Sequence, residues 1–452
     1  MTVERLVVIG GDAAGMSAAS QARRLLDPDE LEITALERGG WTSYSACGIP
    51  YLVGGLVDTV DELISRTPSE FRSRQHIDVR MRTEATSIDL DRAEVSIRRV
   101  ESGEEATLGF DQLMIATGAR PLRPDVPGLD ATGVYGVATL DDGWNIRRAV
   151  VEDKPRRAVV LGGGYIGVEM AEVLLERGLD VTVVLADPLP LALLDEDMGE
   201  RVCAAMTRMG IEVVTCSPVT GIEAASDGGV RRVVSETGAH DADIVVLGLG
   251  VKPDADLGRA AGLAVGDSGG LIVDERQACR DGVWAAGDCT ETVHRLTGKR
   301  LSIALGTHAN KQGRIAGTNI GGGMATFPGV LGTAITKVGK TEIGRTGLSS
   351  REIEQAGFVA DSTVVESTTR AGYYPGAASI ATKLLHERDT GRLLGAQIVG
   401  GPGSAKRIDV YAAALWNEMT VADIAGMDLS YAPPFSPTLD PVTITARKAA
   451  RA

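Results

Sequence analysis

RLVVIGGDAAGMSAASQARRL (residues 5–25) and RAVVLGGGYIGVEMAEVLLERG (residues 157–178) share one pattern. Each opens with a run of β-branched and Leu residues, turns on glycines, and continues as a small-residue amphipathic helix. That order predicts strand, phosphate loop and helix, occurring twice. The copies begin at Arg5 and Arg157, too far apart for a solenoid repeat of roughly 20–50 residues. Two separate dinucleotide-binding folds are the natural explanation.

The second copy has the full G-x-G-x-x-G as Gly162, Gly164 and Gly167. The first has Gly10 and Gly15, with Asp12 in place of the middle glycine. In this motif the first glycine makes the turn, the middle one admits a pyrophosphate, and the last lets helix and strand pack closely. The carboxylate of Asp12 must therefore point away from any phosphate. The residue after the next strand separates the copies. LEITALE ends in Glu37, whose carboxylate can accept hydrogen bonds from ribose hydroxyls. In LDVTVVLADP that place is taken by Leu185, with Asp187 in the following loop. A 2′-phosphate is not repelled there, so the second site leans toward NADPH or tolerates both nucleotides.

Two later segments return to the first fold. DQLMIATGARP reads as a buried strand ending at Thr117-Gly118. DGVWAAGDCTET reads as a strand running into Gly287-Asp288. An Asp at such a strand end can bond the polyol hydroxyls of a flavin; the alternative is a helix N-cap. From about Phe327 onward the pattern changes to β-type runs followed by the helical DVYAAALWNEMT and an irregular, Pro-rich YAPPFSPTLDP, which reads as a separate α+β domain. The reading is an α/β chain with two Rossmann-like domains and a C-terminal α+β domain.

The 452 residues exceed what one core supports. A formal net charge of −15 argues against nucleic acid and anionic membrane as partners. No charged and apolar leader precedes the first strand, and no apolar run is long enough to span a bilayer, which reads as cytoplasmic. The five cysteines form no C-x-x-C or C-x4-C pair, so neither a disulfide scaffold nor a metal site is expected.

One cysteine is unusually placed. SYSACGIPYLVGG (43–55) puts Cys47 among small residues, ten after Glu37. A lone cysteine is most often a buried small residue. At a helix N-terminus its pKa would fall from about 8.5, making it a nucleophile.

Together these segments, with GTHANKQGRIAGTNI, GYYPG and YAPPFSP, resemble the single-cysteine branch of the pyridine nucleotide–disulfide oxidoreductases, closest to the coenzyme A-disulfide reductases and with NADH oxidases and peroxidases as relatives. The resemblance covers essentially the whole chain. It implies an FAD domain (1–118 and 248–325) interrupted by an NAD(P)H domain (119–247), then a dimerisation domain (326–452). It implies a homodimer whose active site is shared between subunits. FAD would use Gly10, Gly15, Glu37, Thr117, Gly118 and Asp288. NADPH or NADH would use Gly162, Gly164 and Gly167, with Tyr165 covering the nicotinamide pocket and Glu169 near the flavin–nicotinamide contact.

The same resemblance makes Cys47 the catalytic thiol. Two-cysteine relatives span C-x4-C, but Thr42 stands five before Cys47. The second redox partner must then come from a small thiol, as a mixed disulfide, or from oxygen, as a sulfenic acid. Peroxidase relatives carry a His in the first glycine loop; Ala13 stands there, which disfavours a peroxidase. Tyr431 and Tyr373, or its neighbour Tyr374, match a pair placed near the partner subunit's cysteine, where a phenol can protonate a thiolate leaving group. Ser43, Gln21 and Arg24 match positions that contact coenzyme A. Ala46 and Gln75 depart from the pattern, which widens the substrate to other low-molecular-weight disulfides, persulfides or polysulfides. His308 reads as structural. The leading function is an FAD-dependent NAD(P)H:disulfide oxidoreductase acting on coenzyme A disulfide or a CoA persulfide; the alternative is an NAD(P)H oxidase, and a third class is a slow redox sensor.

Overall fold

The computed structural model describes residues 3–451 and divides into two compact units. The first comprises the segment ending at Leu122 together with Ala138–Trp144 and Val251–Val330; the second comprises Arg123–Val137, Asn145–Gly250 and the segment from Leu331 onward.

In the first unit the strand Glu4–Ile9 buries both faces. Leu6 and Val8 join a cluster with Met16, Ala19 and Phe71, while Val7 and Ile9 join another with Leu113 and Val283. Burial on both faces is why the strand reads as a continuous apolar run. It lies at the centre of a six-stranded sheet, between Leu31–Leu36 and Gln112–Ile115 and parallel to both. Ile77–Arg80 extends one side in parallel, and Val283–Ala285 extends the other, also in parallel. The strand order reverses beside Glu4–Ile9, where doubly wound sheets bind dinucleotides. The helices Ala13–Arg23 and Gly306–Ile320 pack closely: a Cβ on Gly313 would lie 2.2 Å from the Ala14 carbonyl oxygen, and one on Gly317 would lie 2.3 Å from that of Ala18.

The second unit repeats the scheme. Its five parallel strands run in the order Glu212–Val214, Asp180–Val184, Arg157–Leu161, Ile244–Leu247, Val134–Gly136. It also holds a five-stranded antiparallel sheet of Ala334–Val338, Thr341–Gly347, Leu393–Gly400, Ser379–Glu387 and Ala360–Thr368, in that spatial order. Helices Ile408–Trp416 and Pro441–Ala449 pack on that sheet. The last follows the Pro-rich stretch that reads as irregular in sequence, started by Asp440, whose side chain caps the Val442 N–H. Among the described residues no helix is long and apolar enough to cross a membrane.

Candidate active site

In the first unit, the helix Ala13–Arg23 starts without a side-chain cap. Its first N–H groups are left for an external acceptor, with the helix dipole behind them. Gly10 adopts φ +110°, and a Cβ there would lie 2.0 Å from the Ala116 carbonyl oxygen. At Gly15 a Cβ would lie 2.0 Å from the Gly10 carbonyl oxygen, so the helix packs on the loop as the motif requires. Glu37 follows its strand directly, and its carboxylate accepts from the N–H groups of Gly11 (2.9 Å) and Gly39 (2.6 Å).

The segment carrying Cys47 is held against this phosphate loop. The Gly11 carbonyl oxygen accepts from the Thr42 hydroxyl and from the Ser43 N–H at 3.0 Å. Asp12 Oδ1 accepts from the Tyr44 N–H at 3.1 Å. The Asp12 carboxylate is thus turned onto this segment, as a residue replacing the middle glycine must be. Burial pushes its pKa up to about 6, against the Tyr44 hydrogen bond that lowers it. Ser43 occupies the left-handed region at φ 49°, which turns the chain into Ala46–Gly48. Cys47 sits exposed in that 3-10 turn, shortly before the helix Ile49–Gly54. Sequence reading missed the anchoring role of Asp12, although its departure from the motif was the signal.

Thr117 and Gly118 end the Gln112–Ile115 strand. The Thr117 hydroxyl donates to the Asp254 carbonyl at 2.5 Å, and Gly118 has φ +73° with open space where a Cβ would stand. Asp288 follows the strand Val283–Ala285 and precedes another strand, Thr290–Val293, so the helix-cap alternative is ruled out. Its Oδ1 is buried and has no hydrogen-bond partner, and burial raises its pKa to about 6. A buried carboxylate oxygen without a donor marks a place for an external hydroxyl. The Gly287 N–H donates to Gln312 Oε1 at 2.9 Å, fixing this strand end to the helix Gly306–Ile320. His308 on that helix is held neutral by burial, its pKa lowered to about 4.

Gln21 and Arg24 lie at the end of the helix Ala13–Arg23, where Arg24 Nη1 donates to Gln21 Oε1 at 3.1 Å. Arg24 is exposed, whereas Arg23 is tied to the carbonyls of Gln75, Leu26 and Leu31. The Gln75 side chain is itself taken up by the Ser20 hydroxyl at 2.9 Å. The cysteines outside the site differ from Cys47. Cys289 is fully buried with its pKa near 11, Cys279 is pushed to about 12, and burial also raises Cys203.

In the second unit, the helix Tyr165–Glu176 likewise starts uncapped, at Gly164. The three motif glycines separate by what surrounds them. A Cβ on Gly162 would lie 2.6 Å from the Gly248 carbonyl oxygen, and one on Gly167 would lie 2.1 Å from that of Gly162. One on Gly164 would meet nothing within 4 Å, so no protein atom demands glycine there. Leu185 is buried after its strand, and Asp187 is exposed in the loop. Burial raises the Tyr165 phenol and the Glu169 carboxyl, the latter accepting from the Thr336 hydroxyl at 2.9 Å. Tyr373 and Tyr431, 58 positions apart, are brought together: interaction with the Tyr431 phenol raises the Tyr373 pKa. Both rings are exposed, Tyr373 the more so.

Residues 4–313 match the pyridine nucleotide-disulphide oxidoreductase family, and residues 333–442 match the dimerisation domain of the same family. The chain belongs to this family: it is an NAD(P)H-dependent flavoprotein oxidoreductase. The NAD(P)H coenzyme A polysulfide/persulfide reductase of Pyrococcus horikoshii is 36% identical over 98% of both chains. The NADH oxidase of Methanocaldococcus jannaschii is 35% identical over 98% of both. The solved structure of a NAD-dependent persulfide reductase from A. fulgidus superposes with a TM-score of 0.95 at 40% identity, covering 99% of this chain and 83% of that one. The cofactors are FAD and NAD(P)H, and the residues present fit them: two uncapped helix starts, the partnerless Asp288 oxygen and the open space at Gly164.

Proposed function

We propose that the chain is a homodimeric, cytoplasmic NAD(P)H:disulfide reductase that works through Cys47 on coenzyme A disulfide or a coenzyme A persulfide or polysulfide. Residues 1–118 and 248–325 form the FAD domain, 119–247 the NAD(P)H domain and 326–452 the dimerisation domain. Gly10, Gly15, Glu37, Thr117, Gly118 and Asp288 hold FAD. Gly162, Gly164, Gly167, Tyr165 and Glu169 serve NAD(P)H. Ser43, Gln21 and Arg24 contact the coenzyme A portion, with Arg24 as the phosphate partner.

The Cys47 thiolate attacks one sulfur of the substrate disulfide. A bond forms between Cys47 Sγ and that sulfur, the substrate S–S bond breaks, and the other half leaves as a thiolate. The phenols of Tyr373 and Tyr431, contributed by the second subunit, stabilise the departing thiolate and return a proton to it. Cys47 holds the remaining half of the substrate as a mixed disulfide, and bound FAD would supply the two electrons from NAD(P)H that release it as the second thiol. The balance is one NAD(P)H and one proton consumed per disulfide, with two thiols released.

The observation that carries this reading is Cys47 itself. It is exposed, before a helix, on a segment laced to the phosphate loop through Gly11 and Asp12, with Thr42 where a second cysteine would stand. Cys47→Ser is expected to keep FAD bound and to abolish NAD(P)H consumption driven by coenzyme A disulfide without oxygen. Retained turnover overturns the mechanism. The 35% identity to an NADH oxidase favours a second reading, reduction of oxygen through a Cys47 sulfenic acid. NAD(P)H consumption in air without added disulfide, lost in Cys47→Ser, would select it.

A further inference from the structure

Within one subunit Tyr373 and Tyr431 are exposed at 79% and 48%, so packing inside that subunit does not fix their rings. Their meeting depends on the two loops that carry them. The first is closed on itself, with the Thr369 N–H donating to the Ala378 carbonyl at 2.8 Å and the Ala378 N–H to the Thr369 hydroxyl at 3.2 Å. One backbone bond joins the loops: the Ala371 N–H donates to the Pro433 carbonyl at 3.1 Å.

Arg407 joins them a second time. It ends the 3-10 turn Ala405–Arg407, and its side chain is 11% exposed. Its Nη2 donates to the Thr369 carbonyl at 2.8 Å, in the loop of Tyr373, and to the Phe435 carbonyl at 2.7 Å, in the segment of Tyr431. Nε donates to Asp440 Oδ2 at 2.9 Å, and Nη1 to the Gly403 carbonyl at 2.5 Å. Asp440 is itself fixed by the Ser436 hydroxyl and the Val442 N–H, both at 2.9 Å. A planar guanidinium with several donors can hold these three carbonyls and a carboxylate at once; an ammonium cannot match that fork.

We propose that Arg407 is a positioning residue for the reaction: by clamping both loops it sets the Tyr373 and Tyr431 phenols where they protonate the leaving thiolate. The proposal rests on the role given to those tyrosines above. Its removal leaves the phenols chemically intact and misplaced, which costs rate in the disulfide half of the cycle and leaves hydride transfer untouched.

The test is Arg407→Lys, which keeps a positive charge beside Asp440 and loses the fork. It is compared in the FAD-loaded enzyme with the pair Tyr373→Phe/Tyr431→Phe and with the triple combination. With coenzyme A disulfide as probe, kcat of Arg407→Lys is expected to fall about tenfold or more, within what a misplaced general acid costs. The stopped-flow rate of flavin reduction by NAD(P)H and the sedimentation behaviour should equal wild type. The triple variant should be no slower than the tyrosine pair alone, since both changes act through the same phenols. Wild-type kcat in Arg407→Lys, or losses that multiply in the triple variant, would overturn the assignment. Wild-type turnover in the tyrosine pair instead removes the role of the tyrosines, and that arm reports on it separately. If Arg407→Lys fails to fold, Asp440→Asn retains the helix cap, weakens the hold on the guanidinium, and is expected to show the same signature at smaller amplitude; unchanged kcat there overturns the proposal.

Discussion

Asp288 keeps a buried carboxylate oxygen without a partner, and its pKa stands near 6 because burial disfavours the charge. The folded protein therefore binds this proton more tightly than the unfolded chain. Stability from this group is fully present below about pH 4 and is lost as pH rises through 6. In FAD-free protein, Asp288→Asn is expected to raise stability at pH 7 by roughly 2–3 kcal/mol, and to make little difference at pH 4. Urea titrations at the two pH values check this. The same variant should bind FAD more weakly, because an amide is a poorer acceptor for a polyol hydroxyl than a carboxylate. Equal stability at both pH values would mean that the unpartnered oxygen is hydrated. Gly164 offers a second residue-scale prediction. Gly164→Ala should leave the melting temperature near wild type and raise the KM for NAD(P)H about tenfold, because the added methyl meets no protein atom and only a ligand can feel it. Gly162→Ala, blocked by the Gly248 carbonyl at φ +97°, should instead lower the melting temperature. Residues of this kind were legible because their chemistry lies inside a short motif. Glu37 and Asp288 stand within three residues of a strand end, and Cys47 lies inside the stretch SYSACGIPYLVGG. Arg407 was not legible: its partners Thr369 and Phe435 lie 38 and 28 positions away, and nothing near it in sequence names them.

At the scale of elements, the helices Ala13–Arg23 and Gly306–Ile320 are in near-backbone contact at Gly313 and Gly317. An alanine normally favours a helix over glycine by about 1 kcal/mol. Here its Cβ would stand 2.2 Å from the Ala14 carbonyl oxygen at position 313, so the helices must part. Gly313→Ala is therefore expected to destabilise by about 1–3 kcal/mol, the usual cost of overpacking. FAD should also be lost more readily, because the displaced helix begins at the phosphate loop and its neighbour holds Gly287 through Gln312. Thermal melts with and without added FAD read both effects; a rise in stability would show that the helices can separate freely. The phosphate-loop strands and helices were legible because their apolar runs and glycine turns are strongly periodic. The meanders Thr83–Gly109 and Val219–Asp241 were not read as such, since their strands are short, largely exposed and rich in charge. The helix Pro441–Ala449 was hidden behind four prolines in eleven residues, YAPPFSPTLDP, one of which is its own first residue.

At the scale of the whole molecule, the discontinuity of the first sheet was readable from ATG and GD ending two distant apolar runs, and the strand Val283–Ala285 does pair with Gln112–Ile115. The sharing of a site between subunits has no such local signature and needs its own experiment. In the proposed enzyme each site takes Cys47 from one subunit and the tyrosine pair from the other. Cys47→Ser homodimers and Tyr373→Phe/Tyr431→Phe homodimers are then both impaired, for different reasons. In a hybrid dimer, the subunit that keeps Cys47 faces the subunit that keeps both tyrosines, so one of the two sites is whole. Random exchange makes about half the dimers hybrid, each with one working site, so specific activity with coenzyme A disulfide should recover to about a quarter of wild type. If cysteine and tyrosines served from the same chain, every subunit would carry a defect and exchange would restore nothing. Coexpression of differently tagged variants, with purification through both tags, isolates the hybrid and raises the expected activity to about half. A hybrid no more active than the mean of its parents would refute a site built from two subunits, while leaving the role of Cys47 to be judged on its own variant.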